Sequence, residues 1–193
     1  MKLNKIKANC LNAKRFNLIE GPDGVQWFTD NRSLWLCMGI QVDRRVLPTL
    51  FGLTDKQVEK CLFLEESRTG DEYAIGMDGD EPVLDYCGDV WEYDQRLLAF
   101  RGKAGMLFVP RAWADAVAVT DETQYTVRML QNSDGKPEPM VAVYNGMICE
   151  AMLQPIADGF AGYILKRMKA MGEIPTWTME EVRDHVEAEV KAG

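Results

Sequence analysis

A chain of 193 residues with 47% hydrophobic and 27% charged residues can bury a core of its own, which excludes a disordered or fibrous protein. No apolar run approaches the roughly 20 residues of a membrane span, and no signal peptide follows the basic start, so a cytoplasmic protein without membrane contact is expected. The formal net charge of −8 disfavours nonspecific binding of nucleic acid by the surface as a whole.

Cysteine and histidine usage excludes several kinds of active site. The five cysteines are widely spaced and form no Cys-x-x-Cys pair, so they are interpreted as reduced packing residues. The single histidine, His185, lies between acidic residues of a charged helix, which leaves no basis for a histidine triad or a histidine metal cluster. Since no glycine-rich nucleotide motif is present either, we expect no catalytic residue, no cofactor and no metal site.

The N-terminal part of the chain indicates a helix followed by a three-stranded meander. Apolar residues recur at helical spacing over residues 2–14 and predict the helix. Turns rich in Gly, Pro, Asp and Asn separate the strands, which are predicted at residues 16–20, 25–29 and 33–38. Two short helices are expected next, over residues 43–53 and 54–60, the second from a Thr-x-x-Gln capping box.

The middle of the chain is strongly acidic between residues 65 and 94. A strand is predicted over residues 61–65, paired with a second over 72–77, and residues 78–94 are predicted to be a solvated loop. Its Asp78-Gly79-Asp80-Glu81 cluster could hold a hard cation, but the spacing is not that of an EF-hand, so the solvated loop is favoured. The elements expected next are a hairpin over 96–101 and 105–109, a short helix over 110–117 and a strand over 124–130.

An Asn-Gly turn organises the end of the domain. Such a turn suits a type I′ hairpin, so an apolar hairpin is expected over residues 139–153, with Tyr144 facing Met147. Pro155 ends this ladder and opens a helix over residues 156–171.

Together these elements predict an α+β fold of antiparallel β meanders with helices packed on one face. The domain is expected to span residues 1–172, with the acidic segment 65–94 as a connection. Residues 173–193 are expected to form a linker and a C-terminal helix.

Basic residues cluster on two of the predicted helices. If both helices cross the same side of one sheet, this acidic protein carries a local basic face that can bind DNA phosphates without reading sequence. A merely solvated helix face is the alternative. The candidate DNA-binding residues are Lys2, Lys5, Lys7, Lys14, Arg15, Lys166, Arg167 and Lys169.

Two of the five tryptophans lie near predicted loops. Trp91 and Trp177 are candidate partner-binding residues, because an exposed indole is a frequent anchor of protein interfaces. Packing in the core is the alternative for both.

The apolar hairpin contains the runs Met140-Val141-Ala142-Val143, Gly146-Met147 and Ala151-Met152-Leu153-Gln154-Pro155. These runs resemble the closing strands of sliding-clamp domains, the processivity factors of DNA polymerases. That resemblance implies basic helices laid across sheets to line a DNA hole. A clamp subunit carries two or three evenly repeated domains, and this chain fits neither count. The whole chain also resembles small prophage-type proteins of gut Firmicutes.

The leading expectation for function is therefore a noncatalytic accessory protein of a phage or mobile element. It would be clamp-like, form a homo-oligomer, and bind double-stranded DNA and replication proteins. The alternative is a protein-binding module or inhibitor that acts through the acidic segment 65–94 without DNA contact. An enzyme with a carboxylate-based site is the third and least favoured interpretation.

Overall fold

The computed structural model describes residues 1–39, 41–76, 79–92, 94–103, 105–131, 135–156 and 162–166. These residues form an α+β fold, which confirms the predicted class. The helices are α1 (Leu3–Ala13), α2 (Leu47–Leu50), α3 (Asp55–Val58) and α4 (Arg111–Ala114), and residues 162–166 are also helical. The strands are β1 (Arg15–Glu20), β2 (Gln26–Thr29), β3 (Ser33–Leu36), β4 (Leu62–Ser67), β5 (Asp85–Glu92), β6 (Gln95–Gly102), β7 (Gly105–Pro110), β8 (Thr123–Gln131), β9 (Pro137–Asn145) and β10 (Ile148–Leu153).

Seven strands form one sheet in the order β4-β1-β2-β3-β10-β9-β8. Antiparallel pairing of β3 with β10 joins the two meanders into this sheet. Strand β4 pairs parallel with β1, so the predicted partner over residues 72–77 is wrong. The Phe63 ring stacks on Phe16 with centroids 5.6 Å apart, which favours the place beside β1, and residues Asp71–Tyr73 form a short 3-10 helix.

Helix α1 packs on one face of the seven-stranded sheet, as its apolar spacing predicts. Ile6 and Cys10 lie in the core, whereas Leu3 at the start of the helix is exposed. The helix ends at Lys14, which takes a left-handed φ of 55° and donates its backbone N–H to the carbonyl of Cys10. The helix α3 begins with the predicted capping box, in which Thr54 and Gln57 bond reciprocally.

Strands β5, β6 and β7 form a second sheet that covers the same side of the large sheet as α1. Leu98, Phe100 and Val109 face inward and join the core beneath α1. On the outer face, Phe108 packs with Ile164 of the helical residues 162–166. The other face of the seven-stranded sheet carries a separate apolar cluster around Trp27, Tyr144 and Met152.

The acidic residues 85–92 form strand β5, so the prediction of a loop over 78–94 is wrong for this part. Tyr86, Val90 and Trp91 are aromatic or β-branched and suit a strand, and the apolar β6 supplies its partner. At the edge of a sheet the acidic side chains can reach solvent or a basic group, so their charge does not prevent pairing. Gly88, with a φ of 113°, accommodates the bulge that interrupts the register.

The predicted hairpin forms with a different register. Asn145 pairs with Ile148, so the two-residue loop is Gly146 and Met147 instead of Asn145 and Gly146. Gly146 takes the left-handed φ of 61° that the turn needs. Asn145 stays in the ladder because its side chain accepts a hydrogen bond from Thr123 on the neighbouring strand at 2.5 Å.

A bulge in β10 changes which residues share a face. The register shifts between Cys149 and Ala151, so Cys149 faces Tyr144 but Ala151 and Leu153 turn to the α1 side. The bulge therefore places Cys149 and Ala151 on opposite faces of the sheet, although residues two apart in a regular strand share a face.

Candidate functional site

The predicted basic residues of the N-terminal helix have different environments. Lys2, Lys5 and Lys14 are exposed. The ammonium of Lys7 donates to the carbonyl of Gly52 at 2.8 Å, which ties α1 to the turn after α2. Arg15 belongs to β1 and lines a groove on the face of the sheet opposite α1. Three lysines of the set therefore remain available on the α1 surface.

The second basic helix lies on a different sheet from α1. Lys166 is exposed on the helical residues 162–166, whose Ile164 packs on the outer face of the three-stranded sheet. Helix α1 packs on the seven-stranded sheet. The predicted basic face requires both basic helices to lie on the same sheet, and Lys166 does not meet this requirement. The other two members of the predicted set, Arg167 and Lys169, lie outside the described residues.

Trp91 lies near the end of β5 with 69% of its surface exposed. The guanidinium carbon of Arg96 on the neighbouring strand lies 5.9 Å from the centre of its ring, which is the distance of a cation–π contact. The core alternative is therefore excluded for Trp91, and its ring is available to a partner. Trp177 lies outside the described residues.

Asp89 organises the surface beside Trp91. It accepts hydrogen bonds from the Tyr86 hydroxyl at 2.8 Å and from Arg96 Nε at 2.6 Å, and Arg111 Nη1 lies 3.3 Å away. Burial opposes the charged form, but the hydrogen bonds from Tyr86 and Arg96, together with Arg111, outweigh it and hold the pKa of Asp89 below its usual value. The same partners fix β5 to β6 and to α4.

Glu81 of the acidic segment points into the protein. Its carboxylate accepts from Arg128 Nε at 2.6 Å, from Thr126 Oγ1 at 2.5 Å and from the Tyr144 hydroxyl at 2.9 Å. The side chains of Glu81 and Arg128 are only 7% and 6% exposed. We call Glu81, Thr126, Arg128 and Tyr144 the buried charge cluster.

Arg128 also holds the backbone of the acidic segment. Its two terminal nitrogens donate to the carbonyls of Ala74 at 2.6 Å and Gly76 at 2.5 Å, and one of them also bonds the Tyr144 hydroxyl. Every nitrogen of the guanidinium therefore has an acceptor, which is the condition under which a buried charge is tolerated. The cluster fastens residues 74–81 over the part of the sheet face that holds Thr126 and Arg128 of β8 and Tyr144 of β9.

Burial raises the pKa of two further groups at this cluster. Burial raises the pKa of the Cys149 thiol to about 12, with Arg128 opposing that shift and Glu81 adding to it. It also raises the pKa of the Tyr144 phenol, which is therefore a neutral hydrogen-bond donor to Glu81 at any physiological pH. At the centre of the cluster, Arg128 Nε and Glu81 Oε1 form an ion pair at 2.6 Å.

The sequence offered the acidic segment as an alternative cation site, but Glu81 of that segment has another role. This carboxylate is occupied by Arg128, Thr126 and Tyr144, and Asp78 lies outside the described residues. In the part of the chain that the structure describes, no group of three His, Cys, Asp or Glu side chains is placed to hold a metal ion. None of the five cysteines forms a disulfide bond.

A groove of about 540 Å³ opens on the half of the sheet face that the buried charge cluster leaves uncovered. Its lining comes from β4, β1, β2, β3, β9 and β8, from the turn after β2, and from Arg68, Tyr73 and Gln154. The charged lining residues are Arg15, Arg32, Arg68, Glu66 and Glu138.

Sequence reasoning missed the buried charge cluster and the groove, although each left a signal. On β8, Thr126, Arg128 and Leu130 alternate onto one face, and an arginine between strand residues of an apolar sheet requires a buried acceptor. The acidic segment was the available source of that acceptor. The groove joins residues far apart in the chain, such as Arg15 and Gln131, so only the sheet order could reveal it.

No protein-family model, no curated protein and no solved structure matches this chain. None of the helices in the described ranges has the length and apolar character needed to cross a membrane.

Proposed function

We propose that this chain is a noncatalytic binding protein whose partner protein docks on β5 at Trp91. The observation that carries the proposal is the exposed indole, 69% accessible on an ordered strand. An exposed tryptophan exposes a large apolar area to water, and its burial in a partner's pocket is a frequent source of interface affinity.

The surroundings of Trp91 favour a rigid docking site. Arg96 lies over the ring and is itself held by Asp89, which Tyr86 and Arg111 also contact. A side chain that is already ordered loses little conformational entropy when a partner binds. β5 is also an edge of its sheet, and no strand among the described residues pairs with its outer side.

The charge around Trp91 defines the kind of partner. Asp85 and Asp94 are exposed on or beside β5, within a segment whose only basic residue is Arg68. We therefore expect an apolar pocket for the indole, rimmed by basic side chains that complement the acidic surface. This is the protein-binding alternative that the sequence indicates for the acidic segment 65–94.

Affinity for a purified partner tests the proposal. The partner is identified by cross-linking and purified, and its affinity for the full chain is measured by surface plasmon resonance. Trp91→Ala should weaken binding by about 30-fold or more, the loss typical of a hot-spot residue. Met147→Ala is the matched control, since Met147 is 81% exposed on the β9–β10 turn and should change nothing. Equal affinities of the Trp91 variant and the native chain would overturn the proposal.

A second candidate function is DNA binding through α1, in the manner of a clamp-like replication accessory protein. The observation that favours it is the exposure of Lys2, Lys5 and Lys14 on one helix and its C-cap. Contacts of this kind are electrostatic and independent of sequence, so affinity should fall steeply with salt.

Fluorescence anisotropy with duplex DNA at several salt concentrations tests this second candidate. Changing Lys2, Lys5 and Lys14 together to Ala should reduce the salt slope by about one for each of these lysines that binds a phosphate. The control is Lys56→Ala with Lys60→Ala, two exposed lysines at α3. Salt-independent binding, or an unchanged slope in the triple variant, would exclude DNA binding through α1. A clamp also requires a closed ring of subunits, so light scattering should then find an oligomer and not a monomer.

A further inference from the structure

The groove on the seven-stranded sheet is lined by more basic than acidic side chains, although the protein as a whole is acidic. Three guanidinium groups line it, from Arg15, Arg32 and Arg68, against two carboxylates, from Glu66 and Glu138. The whole chain has a formal net charge of −8. A local excess of arginine on such a chain attracts an anion to this one place.

Arg68 has donor capacity beyond its ion pair. One terminal nitrogen bonds Glu66 at 2.6 Å. Its Nε is buried and, among the described residues, has no hydrogen-bond partner. The Arg68 side chain is 37% exposed, so the accessible part of its guanidinium can donate to a ligand oxygen in the groove. Guanidinium groups suit phosphate and carboxylate in particular, because their paired N–H groups match two oxygens.

The loop that carries Arg32 is ordered before any ligand binds. The Asp30 carboxylate accepts from the backbone N–H groups of Arg32 and Ser33 at 2.9 and 2.8 Å. Gln154 donates its backbone N–H to the carbonyl of Arg32 at 3.1 Å. Asn31 takes a left-handed φ of 79°, a conformation that asparagine tolerates better than most residues. The side chain of Arg32 is therefore presented from a fixed backbone.

The remaining lining suits the body of an organic molecule. Ile19, Leu34 and Met140 provide apolar surface, while Gln131 and Gln154 provide amides that can bond hydroxyl groups. A volume of about 540 Å³ lies within the range of small-molecule sites, which is roughly 300–1,000 Å³. A free phosphate ion alone would leave most of this space unused.

We propose that the groove binds a small organic anion whose head is a phosphate or a carboxylate held by Arg15 and Arg32. The pairing of β1 with β2 places these two arginines at the same end of the groove, whereas Arg68 lies at the other end of β1. The amides and the apolar lining hold its uncharged body. This site is separate from the surface around Trp91 and does not depend on the protein-binding proposal.

Calorimetric titration of the full chain tests the site with ribose 5-phosphate, citrate and neutral ribose as probes. At least one of the two anions should bind with a Kd below 1 mM, on the order expected for a few charge-assisted hydrogen bonds, and ribose should not. The anion that binds identifies the head group. Absence of binding by both anions, or equal binding of ribose, would overturn the proposal.

Two arginine variants locate the binding. Arg32→Ala should weaken binding of the preferred anion at least about tenfold, in line with the loss of one charge-assisted hydrogen bond. Arg45→Ala is the control, because Arg45 is an exposed arginine outside the groove that pairs with Asp43. Loss of affinity only in the Arg32 variant supports the groove. An unchanged Arg32 variant, or an equal loss in both variants, would show binding elsewhere or by net charge and would refute the site.

Discussion

The buried charge cluster and the groove lie on the same face of one sheet. Both contain arginine, but the arginines differ in how many of their donors are bonded within the protein. Arg128 in the cluster is 6% exposed, and each of its guanidinium nitrogens has an acceptor within the protein. Arg68 in the groove is 37% exposed and keeps a buried Nε without a partner among the described residues. Arg128 holds the acidic segment over its part of the face, whereas Arg68 lines the open groove.

The difference follows from what covers each half. Over Arg128 and Tyr144, the chain returns after Tyr73 and supplies the carbonyls of Ala74 and Gly76 and the carboxylate of Glu81. No such segment within the described residues covers Arg15 and Arg32, so their charges face the groove. A buried charge with all its acceptors is a structural feature, whereas a cation with spare donors is a candidate for binding.

The largest expected effect is the loss of the cation from the buried charge cluster. Arg128→Met should lower the free energy of unfolding by about 3–5 kcal/mol, because Glu81 is left as a buried charge without its partner. Urea denaturation measures this loss. Arg32→Met in the groove is the matched control and should lie within about 0.5 kcal/mol of the native chain, as for most surface substitutions. Similar losses in the two variants would remove the distinction between the two halves.

Thiol labelling should give the next largest contrast. Cys149 is fully buried at the cluster, and burial raises its pKa to about 12, whereas Cys87 on β5 is exposed. Cys149 should react with an aromatic disulfide reagent at least on the order of a thousandfold more slowly than Cys87, because it reacts only after local opening. Peptide mapping identifies the labelled cysteine. Comparable rates for the two thiols would show that the cluster is open to solvent.

Removing the Tyr144 hydroxyl should have a smaller effect on stability. Tyr144→Phe keeps the ring but takes away a donor to Glu81 and an acceptor for Arg128. A loss of about 1–3 kcal/mol is expected, since one polar group of a buried pair is left without its partner. Val119→Ala serves as the control, because Val119 is 64% exposed and should change the stability little. A neutral Tyr144→Phe substitution would mean that the hydroxyl contributes nothing to the cluster.

The smallest effect concerns alkaline pH at the surface beside Trp91. Burial, followed by the hydrogen bond to Asp89, raises the pKa of Tyr86 to about 12 from its usual 10.0. The raised pKa adds stability that is complete below pH 10 and is lost as the pH rises through 12. In Tyr86→Phe this decline should shrink by less than about 1 kcal/mol, because the residue is part-exposed and screened by solvent. Identical pH profiles of native and variant chains over that range would contradict the raised pKa of Tyr86.

The sequence predicts the local elements better than their partners. Helical spacing locates α1, the Thr54 capping box locates α3, and the Asn-Gly pair locates the hairpin between β9 and β10. Each of these signals is contained within a few neighbouring residues. The parallel pairing of β4 with β1 and the bulge after Cys149 depend on contacts between distant parts of the chain, and local patterns do not encode them.

The candidate sites show the same limit. Trp91 could be selected from the sequence because it lies near a predicted loop, where an indole is often exposed. Glu81 could not be told from its acidic neighbours, since only the fold turns it toward Arg128. Arg15 was selected for DNA binding as part of a basic run, but the alternation of β1 turns it into the groove, away from the α1 side.

Amide hydrogen exchange of three residues tests most directly whether the acidic segment is fastened to the sheet. Leu84 donates to the carbonyl of Tyr125, Val127 to that of Pro82, and Cys149 to that of Ile75, each at 2.8 Å. In the native chain these three amides should exchange about as slowly as the core of the sheet, and in Arg128→Met they should exchange much faster at the same pH. Rapid exchange at all three amides in the native chain would show that the segment is not held, and the contrast between a closed and an open half of the sheet face would be wrong.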